Sequence, residues 1–495
     1  MSTNAGTARQ SASAGASPPT ALSLEQAIEL AEAKSEQVAV AEAGVARAKG
    51  EQVRAKSERF PQLTASASYD RTLNSEFEGL FDQTNANGED GGVDFGRLPF
   101  GRKNIWRVNL QFTQSLFTGG RVAAQERIAA TGEVNAALTL TAARAQLALD
   151  VVRAYYDAVL SERIVAIAQQ AYAQAEATYQ QTRLQREAGT QPEFELLRAQ
   201  VARDNQGPTL IRRRSEQRLA LLRLKQLLEL PAGAPLDLTT RLDDDVLPPP
   251  ARFAPALANA RTTVSGKERV PMAAAENVMR IRQESVTVAH AQRFPTVSAT
   301  SSYGRVNYPA NFFPDFGDFR TNWTIGAQVQ VPILTGGRIR ADEMIARAAA
   351  DEARAALQQT RELVELDTQS AFEELESADA SWQASGGTVQ QAVRAYEIAD
   401  LRYRQGISTQ LELSDARLLL AQAQANRAQA ARDLQVARAR VALLPDLPIA
   451  TTGAATGIGS GVTSTLPAEP DQRQQTPAQT PTMRAAQASG GSIQQ

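Results

Sequence analysis

The 495-residue sequence contains few side chains that could carry out acid–base, nucleophilic or metal chemistry. It has no cysteine, which excludes disulfides, thiolate metal ligands and cysteine nucleophiles. His290 is the only histidine, so a site with several histidine ligands is excluded and a catalytic triad could form only around this residue. Aspartate and glutamate are abundant, but no pair of them stands out as an acid–base site. We therefore expect no enzymatic activity and no cofactor, and we assign His290 no role.

Charge and hydropathy narrow the class of protein further. The 52 lysines and arginines almost balance the 54 aspartates and glutamates, so no overall positive field favours nucleic acid as a partner. No apolar stretch approaches the roughly 18 residues that a transmembrane helix needs. A transmembrane β-barrel is still compatible with the sequence, because alternating strands leave only a weak hydropathy signal.

Both ends of the chain differ in composition from the rest. Residues 1–21 are rich in serine, alanine and threonine and lack the apolar segment of a secretory signal. An export signal would therefore lie upstream of this numbering, or the start is differently placed. Residues 445–495 are rich in threonine, glycine, proline and glutamine. We predict that both segments are disordered.

Between the two ends, several motifs occur twice at a constant offset. Residues 117–121 (FTGGR) match residues 334–338 (LTGGR), and Gly189 matches Gly406 at the same offset of 217 positions. Chance matches would not keep one offset over so long a stretch, so the chain is predicted to contain an internal duplication. The predicted repeats and the linker between them are residues 22–230, 231–270 and 271–444.

Each repeat contains two segments in which apolar and polar residues alternate, as in a strand with one apolar face. The four predicted strands are residues 61–71, 105–118, 295–304 and 321–334. A hairpin packed on a soluble core and a membrane barrel would both show this alternation. The strand length and the aromatic residues near the strand ends favour the membrane. The aromatic residues predicted to face lipid are Tyr69, Trp106, Phe112, Tyr303 and Trp323.

Helices are predicted for most of the remaining sequence. The proline-free stretches 121–188 and 338–405 would each be about 100 Å long if continuous. The first has an apolar seam in alternating steps of four and three residues, which indicates coiled-coil packing. Shorter helices are predicted beside them, at residues 22–59, 193–230, 271–293 and 410–444. A soluble coiled-coil bundle would show the same periodicity.

Glycines mark the joints between these elements. Gly119 and Gly120, and likewise Gly336 and Gly337, lie where strand periodicity changes to helix periodicity, so they are predicted to form strand-to-helix corners. Loops are predicted between the paired strands, at residues 72–104 and 304–320. Gly189 and Gly406 interrupt the helices, and we call the turns around these two glycines the tips.

The order, duplication and spacing of these motifs resemble the TolC-like outer-membrane efflux protein family. The resemblance is carried by Phe60-Pro61 and Phe294-Pro295, by the two corner motifs, and by Tyr403-x-x-Gly406 with Glu412 and Asp415 following. It implies a mixed α+β membrane protein that consists mainly of long helical hairpins. These would form a periplasmic α-barrel, and four strands from each protomer of a homotrimer would form one transmembrane β-barrel.

The resemblance also implies a function and partners. The protein would be the outer-membrane exit duct of a tripartite efflux pump or a type I secretion system. A periplasmic adaptor and an inner-membrane transporter would dock at the tips, and lipid would surround the barrel. A soluble periplasmic coiled-coil adaptor or scaffold is the main alternative, and a carboxylate hydrolase is a weaker one.

A periplasmic gate near the tips is the site that the resemblance implies. The gate tyrosine of the family matches Tyr403, with Glu195 as its acidic partner, whereas the arginine position is occupied by Ser408. Glu412 and Asp415 match an acidic constriction, which in a trimer would become two rings of three carboxylates that select cations. A simpler explanation is that both acids only interact with the dipole of the helix N-terminus.

Overall fold

The computed structural model describes residues 20–73, 102–242, 246–263, 269–309 and 311–449, and most of these are helical. The helices described are α1 (Leu24–Lys34), α2 (Glu36–Ser57), α3 (Arg121–Glu187), α4 (Glu193–Leu227), α5 (Ala254–Thr263), α6 (Val270–Ala291), α7 (Arg338–Arg404) and α8 (Gln410–Leu443). The strands are β1 (Thr20–Leu22), β2 (Gln62–Arg71), β3 (Asn104–Phe117), β4 (Leu236–Leu238), β5 (Thr296–Asn307) and β6 (Arg320–Gln330).

Two helices of equal length, α3 and α7, form the framework of the fold. Each has 67 residues, and each packs against the shorter helix that follows it, α3 on α4 and α7 on α8. The apolar seam of α3 is buried between Ala145 and Val159, and so are Leu357 and Val364 in α7, because these stripes face neighbouring helices. The buried seam residues of α3 are Ala145, Leu149, Val152, Tyr156 and Val159. Within the described ranges, no helix has the length and hydropathy of a segment that crosses a bilayer.

Glycines form the corners between the strands and the long helices. Gly119 and Gly120 have φ angles of 62° and 91°, in the left-handed region that favours glycine. A Cβ atom on Gly119 would lie 2.9 Å from both the carbonyl oxygen of Ala291 and the Cβ of Phe294, so a larger residue would not fit without a shift. The second corner, Gly336-Gly337, has the same backbone conformation. Each corner lies after a strand and directly before a 67-residue helix.

The four long strands form one antiparallel sheet in the order β2-β3-β5-β6. Tyr69 lies opposite Trp106, and Tyr303 lies opposite both Leu110 and Trp323. Because directly paired residues share a face, these rings lie on the same side of the sheet, with the apolar residues of the alternating pattern. That face is open in the single chain, where Trp323 is 67% and Ile325 77% exposed. Within the described residues, the outer edges of β2 and β6 pair with no further strand.

A compact core surrounds the middle of α3. Tyr155 and Tyr156 are almost fully buried there, together with apolar residues of α1, α4 and α8. The hydroxyl of Tyr155 lies 3.0 Å from the carbonyl oxygen of Leu22 in β1, which pairs with β4 in parallel. Residues 20 and 21 were predicted to be disordered; the structure shows that they belong to β1, because this long-range pairing orders them.

The first residues of the predicted tail are also ordered, since Leu447 is buried against Ala145 and Leu149. The segment 231–270, which was predicted only as a linker, contains β4 and α5. The rest of the segments predicted to be disordered, residues 1–19 and 450–495, lies outside the described residues, as do residues 74–101 of the predicted loop.

Several boundaries also differ from the prediction. The helix predicted at 22–59 is two helices, because Ser35 leaves the helical conformation and its hydroxyl accepts a hydrogen bond from the backbone N–H of Val38 at the start of α2. Strand β6 ends at Gln330 rather than at residue 334. Pro332 lies two residues further on and has no N–H to donate to a partner strand.

A buried charge network, which we call the Arg269 network, connects α6, α7 and α8. Arg269 is fully buried, and its guanidinium donates to Asp367 at 2.7 Å and to Thr368 at 3.0 Å. Asp367 also accepts from Arg440 at 2.9 Å, and Arg440 in turn pairs with Glu374. Burial lowers the pKa of Arg440, but the hydrogen bond and charge of Glu374, together with Asp367, outweigh that effect and raise it. One carboxylate, Asp367, therefore holds two arginines.

Candidate functional site

Both long helices end at the tips in the same type of turn. Gly189 and Gly406 have φ angles of 76° and 72°, which glycine adopts at little cost. The backbone N–H of the next residue reaches back across the turn, from Thr190 to the Gln185 carbonyl and from Ile407 to the Arg402 carbonyl, both at 2.9 Å. These bonds terminate each helix, and α4 and α8 both begin four residues after the glycine. The result is two helical hairpins, α3–α4 and α7–α8.

Tyr403 connects the two hairpins near their tips. Its side chain is buried, and its hydroxyl lies 2.8 Å from that of Thr182 on α3. The Thr182 hydroxyl donates its single proton to the carbonyl oxygen of Thr178, so Tyr403 is the donor between the two hydroxyls. Tyr403 was predicted to bind Glu195; the structure places its hydroxyl on Thr182 instead, because this side of α7 faces the last turns of α3.

Glu195 lies in the first turn of α4, where its carboxylate is 3.8 Å from Arg198 on the same helix. Its second carboxylate oxygen is buried and has no hydrogen-bond partner among the described residues. The side-chain oxygen of Ser408 is in the same situation at the other tip. Ser408, the position at which the resemblance implies an arginine, carries no charge.

Glu412 and Asp415 share one exposed face at the start of α8. The backbone N–H of Glu412 is capped by the hydroxyl of Thr409, and its carboxylate lies 3.9 Å from Arg402 with both side chains about half exposed. The two carboxylates are thus available to solvent in the single chain. Within the described ranges, no three acidic or histidine side chains are grouped so that they could hold a metal ion.

Arg417 is a residue of this region that the sequence reasoning missed. Only 7% of it is exposed, and its guanidinium donates to the hydroxyl of Thr178 at 2.9 Å. It lies between the buried Leu413 and Leu420, in steps of four and three residues. An arginine at a seam position of an otherwise apolar stripe is the signal that could have found it.

The aromatic residues predicted to face lipid are all in the four-stranded sheet. The Tyr69 and Trp106 rings lie 4.9 Å apart between centroids, and the Tyr303 and Trp323 rings lie 6.3 Å apart. The indole N–H of Trp323 donates to the hydroxyl of Ser301 at 3.0 Å. Phe112 follows on the same face of β3 and is half-buried. All five rings therefore belong to the apolar face of the sheet.

Comparison with known sequences identifies relatives of this chain. The family model described as Outer membrane efflux protein matches residues 27–229 and 267–444. The chain is similar to Nodulation protein T of Rhizobium leguminosarum bv. trifolii, with 25% identity over 293 residues that make up 57% of this chain and 59% of that protein. Outer membrane protein OprJ of Pseudomonas aeruginosa is 27% identical over 150 residues, 30% of this chain and 31% of OprJ. The chain thus spans less than two thirds of the length of either relative.

Solved structures show the same fold. The outer membrane protein VceC of Vibrio cholerae superposes with a TM-score of 0.66 at 20% identity, over 85% of this chain and 96% of VceC. The CmeC outer membrane channel of Campylobacter jejuni superposes with a TM-score of 0.69 at 17% identity, over 86% of each chain. Helical hairpins joined through corners to a small sheet are therefore shared with these proteins.

Proposed function

The chain belongs to the outer membrane efflux protein family and is a protein of the bacterial outer membrane that extends into the periplasm, and on this premise we propose that it is a trimeric exit duct. The duct serves a tripartite efflux pump or a type I secretion system. Substrate passes through it from the periplasm to the exterior without catalysis by this chain. The observation that carries the proposal is a sheet with one exposed apolar face, joined by glycine corners to two 67-residue helices.

The open sheet supports an oligomeric barrel. In lipid, every backbone N–H and C=O must find a partner within the protein, so free sheet edges are not tolerated. The smallest membrane barrels have eight strands, and one chain supplies four, so several chains must combine. Three chains, the number that the family resemblance implies, would give twelve strands. In that barrel the aromatic residues of the apolar face contact lipid and its interface, and the polar face lines the lumen.

Pairs of similar elements support the proposed duplication. The two long helices have equal length, both begin at a Gly-Gly corner, and both end at a glycine turn with the same hydrogen bonds. We assign the first repeat to residues 22–230 and the second to 271–444, with 231–270 between them in the equatorial region. Each repeat contributes two strands to the sheet and one hairpin to the periplasmic part.

Partners are proposed at the tips. Relatives of this chain are named as efflux pump outer membrane proteins, among them TtgC of Pseudomonas putida, which is 23% identical over 56% of each chain. Because passage through the proposed duct is passive, its energy source must lie elsewhere. We propose that a periplasmic adaptor and an inner-membrane transporter supply it, docking around Gly189 and Gly406.

Reconstitution tests the proposal directly. The purified full-length protein should have the native mass of a trimer and should conduct ions across planar lipid bilayers without added nucleotide. A protein that is monomeric, remains in solution without detergent and never conducts would instead fit the periplasmic adaptor or scaffold.

The acidic face of α8 gives a prediction about selectivity. In the proposed trimer, Glu412 and Asp415 form two rings of three carboxylates, which attract cations into the lumen. The Glu412→Gln/Asp415→Asn variant should therefore lower the potassium-over-chloride permeability ratio toward one, measured from reversal potentials in a salt gradient. The matched control is Glu187→Gln/Glu193→Gln, which neutralises as many carboxylates at the other tip. If the α8 variant keeps the wild-type permeability ratio, Glu412 and Asp415 do not form selective rings and only interact with the dipole of the helix N-terminus.

The Tyr403 hydroxyl gives a prediction about the gate. Tyr403→Phe removes the bond to Thr182 while Thr182 keeps its bond to the Thr178 carbonyl, so the hairpins should lose about 1 kcal/mol of mutual attachment. The open fraction in single-channel records should then rise about fivefold. Tyr172→Phe, which removes a different hydroxyl from α3, should not change it. Equal open fractions in wild type and Tyr403→Phe would mean that a contact other than the Tyr403 hydroxyl restrains the hairpins.

A further inference from the structure

Arg417 is a buried cation at the point where three helices meet. It lies on α8 and donates to Thr178 on α3. It also interacts with Tyr396 and Asp400, which lie on the third helix, α7. The Thr178 hydroxyl uses its own proton on the carbonyl oxygen of Gln174, so it can only accept from Arg417. The α7–α8 hairpin and α3 therefore meet at this side chain.

The hydrogen bonds of Arg417 are incomplete in this packing. A guanidinium has five N–H donors, and the Nε atom of Arg417 is buried without a hydrogen-bond partner among the described residues. A buried donor without a partner costs free energy, and a charged one costs more. Burial lowers the pKa of Arg417, and this outweighs the opposing effects of Tyr396, Asp400 and Tyr403. The cation is therefore less stable here than in water.

Its position makes that cost depend on conformation. Arg417 belongs to the buried stripe of α8 with Leu413 and Leu420, so it leaves water only while α8 is packed against its neighbours. If the α7–α8 hairpin moves away from α3, water reaches the guanidinium from the side that faced Thr178. Tyr403 acts in the opposite direction, because its bond to Thr182 exists only in the packed state.

We propose that Arg417 is a positioning residue that opposes the packing of the α7–α8 hairpin on α3 and so keeps the tip easy to open. Its relevance to transport rests on the proposed function. Arg417 and Tyr403 then have opposite effects on the packing. Their partners on α3, Thr178 and Thr182, lie one helical turn apart. The closed tip is stable enough to form, and the buried cation limits how stable it becomes.

Replacing Arg417 by an apolar side chain of similar length tests the proposal. Replacing a whole buried ion pair by apolar residues is often stabilising, by 1–4 kcal/mol in known cases. The same direction is expected for Arg417 because its hydrogen-bond partners, Thr178 and Tyr396, are hydroxyl groups, so its removal leaves no buried carboxylate unpaired. Arg417→Met should therefore slow amide hydrogen exchange in the last turns of α7 and the first turns of α8 by about tenfold, in the purified full-length protein. Arg417→Leu should act in the same direction, and Arg417→Lys, which keeps a charge, should stay close to wild type.

Arg432→Met is the matched control, because Arg432 also connects α8 to α3 but is paired with two carboxylates, Asp157 and Asp433, and is partly exposed. It lies about 22 Å further along α8 and should leave exchange at the tip unchanged. Faster exchange in Arg417→Met and Arg417→Leu, or failure of both to assemble, would overturn the proposal and make Arg417 a stabilising contact.

Single-channel records separate this proposal from the proposed function. Arg417→Met should lower the open fraction, the opposite of the change expected for Tyr403→Phe. A wild-type protein that never conducts would refute the duct, while the exchange rates would still decide the role of Arg417.

Discussion

Asp367→Ala should destabilise the protein by about 3–5 kcal/mol, the usual cost of removing one partner from a buried ion pair. The substitution leaves Arg269 fully buried without a carboxylate, and only the Thr368 hydroxyl and the Val364 carbonyl remain as its acceptors. Arg440 loses one of its two carboxylates at the same time. Denaturant unfolding of the purified protein in detergent, followed by circular dichroism, measures the change.

Glu374→Ala is the control for this prediction. Glu374 belongs to the same Arg269 network, but its side chain is 56% exposed and it pairs with Arg440 rather than with the fully buried Arg269. Solvent screens such a pair, so its loss should cost less than about 1 kcal/mol. A similar small loss for Asp367→Ala would mean that water enters the Arg269 network and that the buried charge is not what holds α6 to α7 and α8.

Val329→Arg should prevent or weaken assembly of the proposed barrel, by about 2–4 kcal/mol for each arginine placed near the middle of the bilayer. Val329 is 61% exposed on the apolar face of β6, where a charged side chain would meet lipid. Val108→Arg on β3 should have the same effect, since Val108 lies on the same face. Folding into lipid vesicles and native mass in detergent would measure it.

Gln328→Arg provides the comparison one residue away. Gln328 points to the polar face of the sheet, the proposed lumen, where a cation stays hydrated, and Gln111→Arg tests the same face on β3. Both variants should assemble like the wild type. If all four variants give the same soluble monomer as the wild type, the sheet is not a membrane barrel.

Local sequence patterns were sufficient to predict the long elements. Absence of proline and a seam in steps of four and three predicted the 67-residue helix α3, and alternation predicted β3, because each pattern reports which face of one element is buried. The glycine pairs predicted the corners for a similarly local reason. Their positive φ angles are a property of the backbone at those residues.

Long-range contacts determine what the sequence did not reveal. The break between α1 and α2 is stabilised by Glu229, whose carboxylate accepts from the backbone N–H of Glu36 at 3.1 Å. Strand β1 exists only because β4, more than 200 residues later, pairs with it. Ser35 is a local signal for the break, but no pattern within ten or twenty residues could contain either of these two long-range contacts.

The candidate site could likewise be predicted only where local patterns were sufficient. The family resemblance implied Tyr403 as a tip residue. Its partner depends on how α7 is rotated against α3, and the structure gives Thr182 rather than Glu195. Arg417 was missed because an arginine on a helix is ordinarily solvated. Its burial becomes visible only once the stripe of Leu413 and Leu420 is found to face other helices.

The Arg269 network has a mechanical consequence. It fixes α7 at Asp367, about 60 Å from Gly406, and a continuous helix between those points is stiff. If the α7–α8 hairpin tilts about Asp367 as a pivot, the part of α7 between Asp367 and Gly406 acts as a lever together with the helix α8 packed against it. A tilt of about 5° at the pivot would move the tip about 5 Å, which is more than the length of a hydrogen bond. Small angular adjustments at the pivot would thus be amplified into displacements large enough to separate Tyr403 from Thr182.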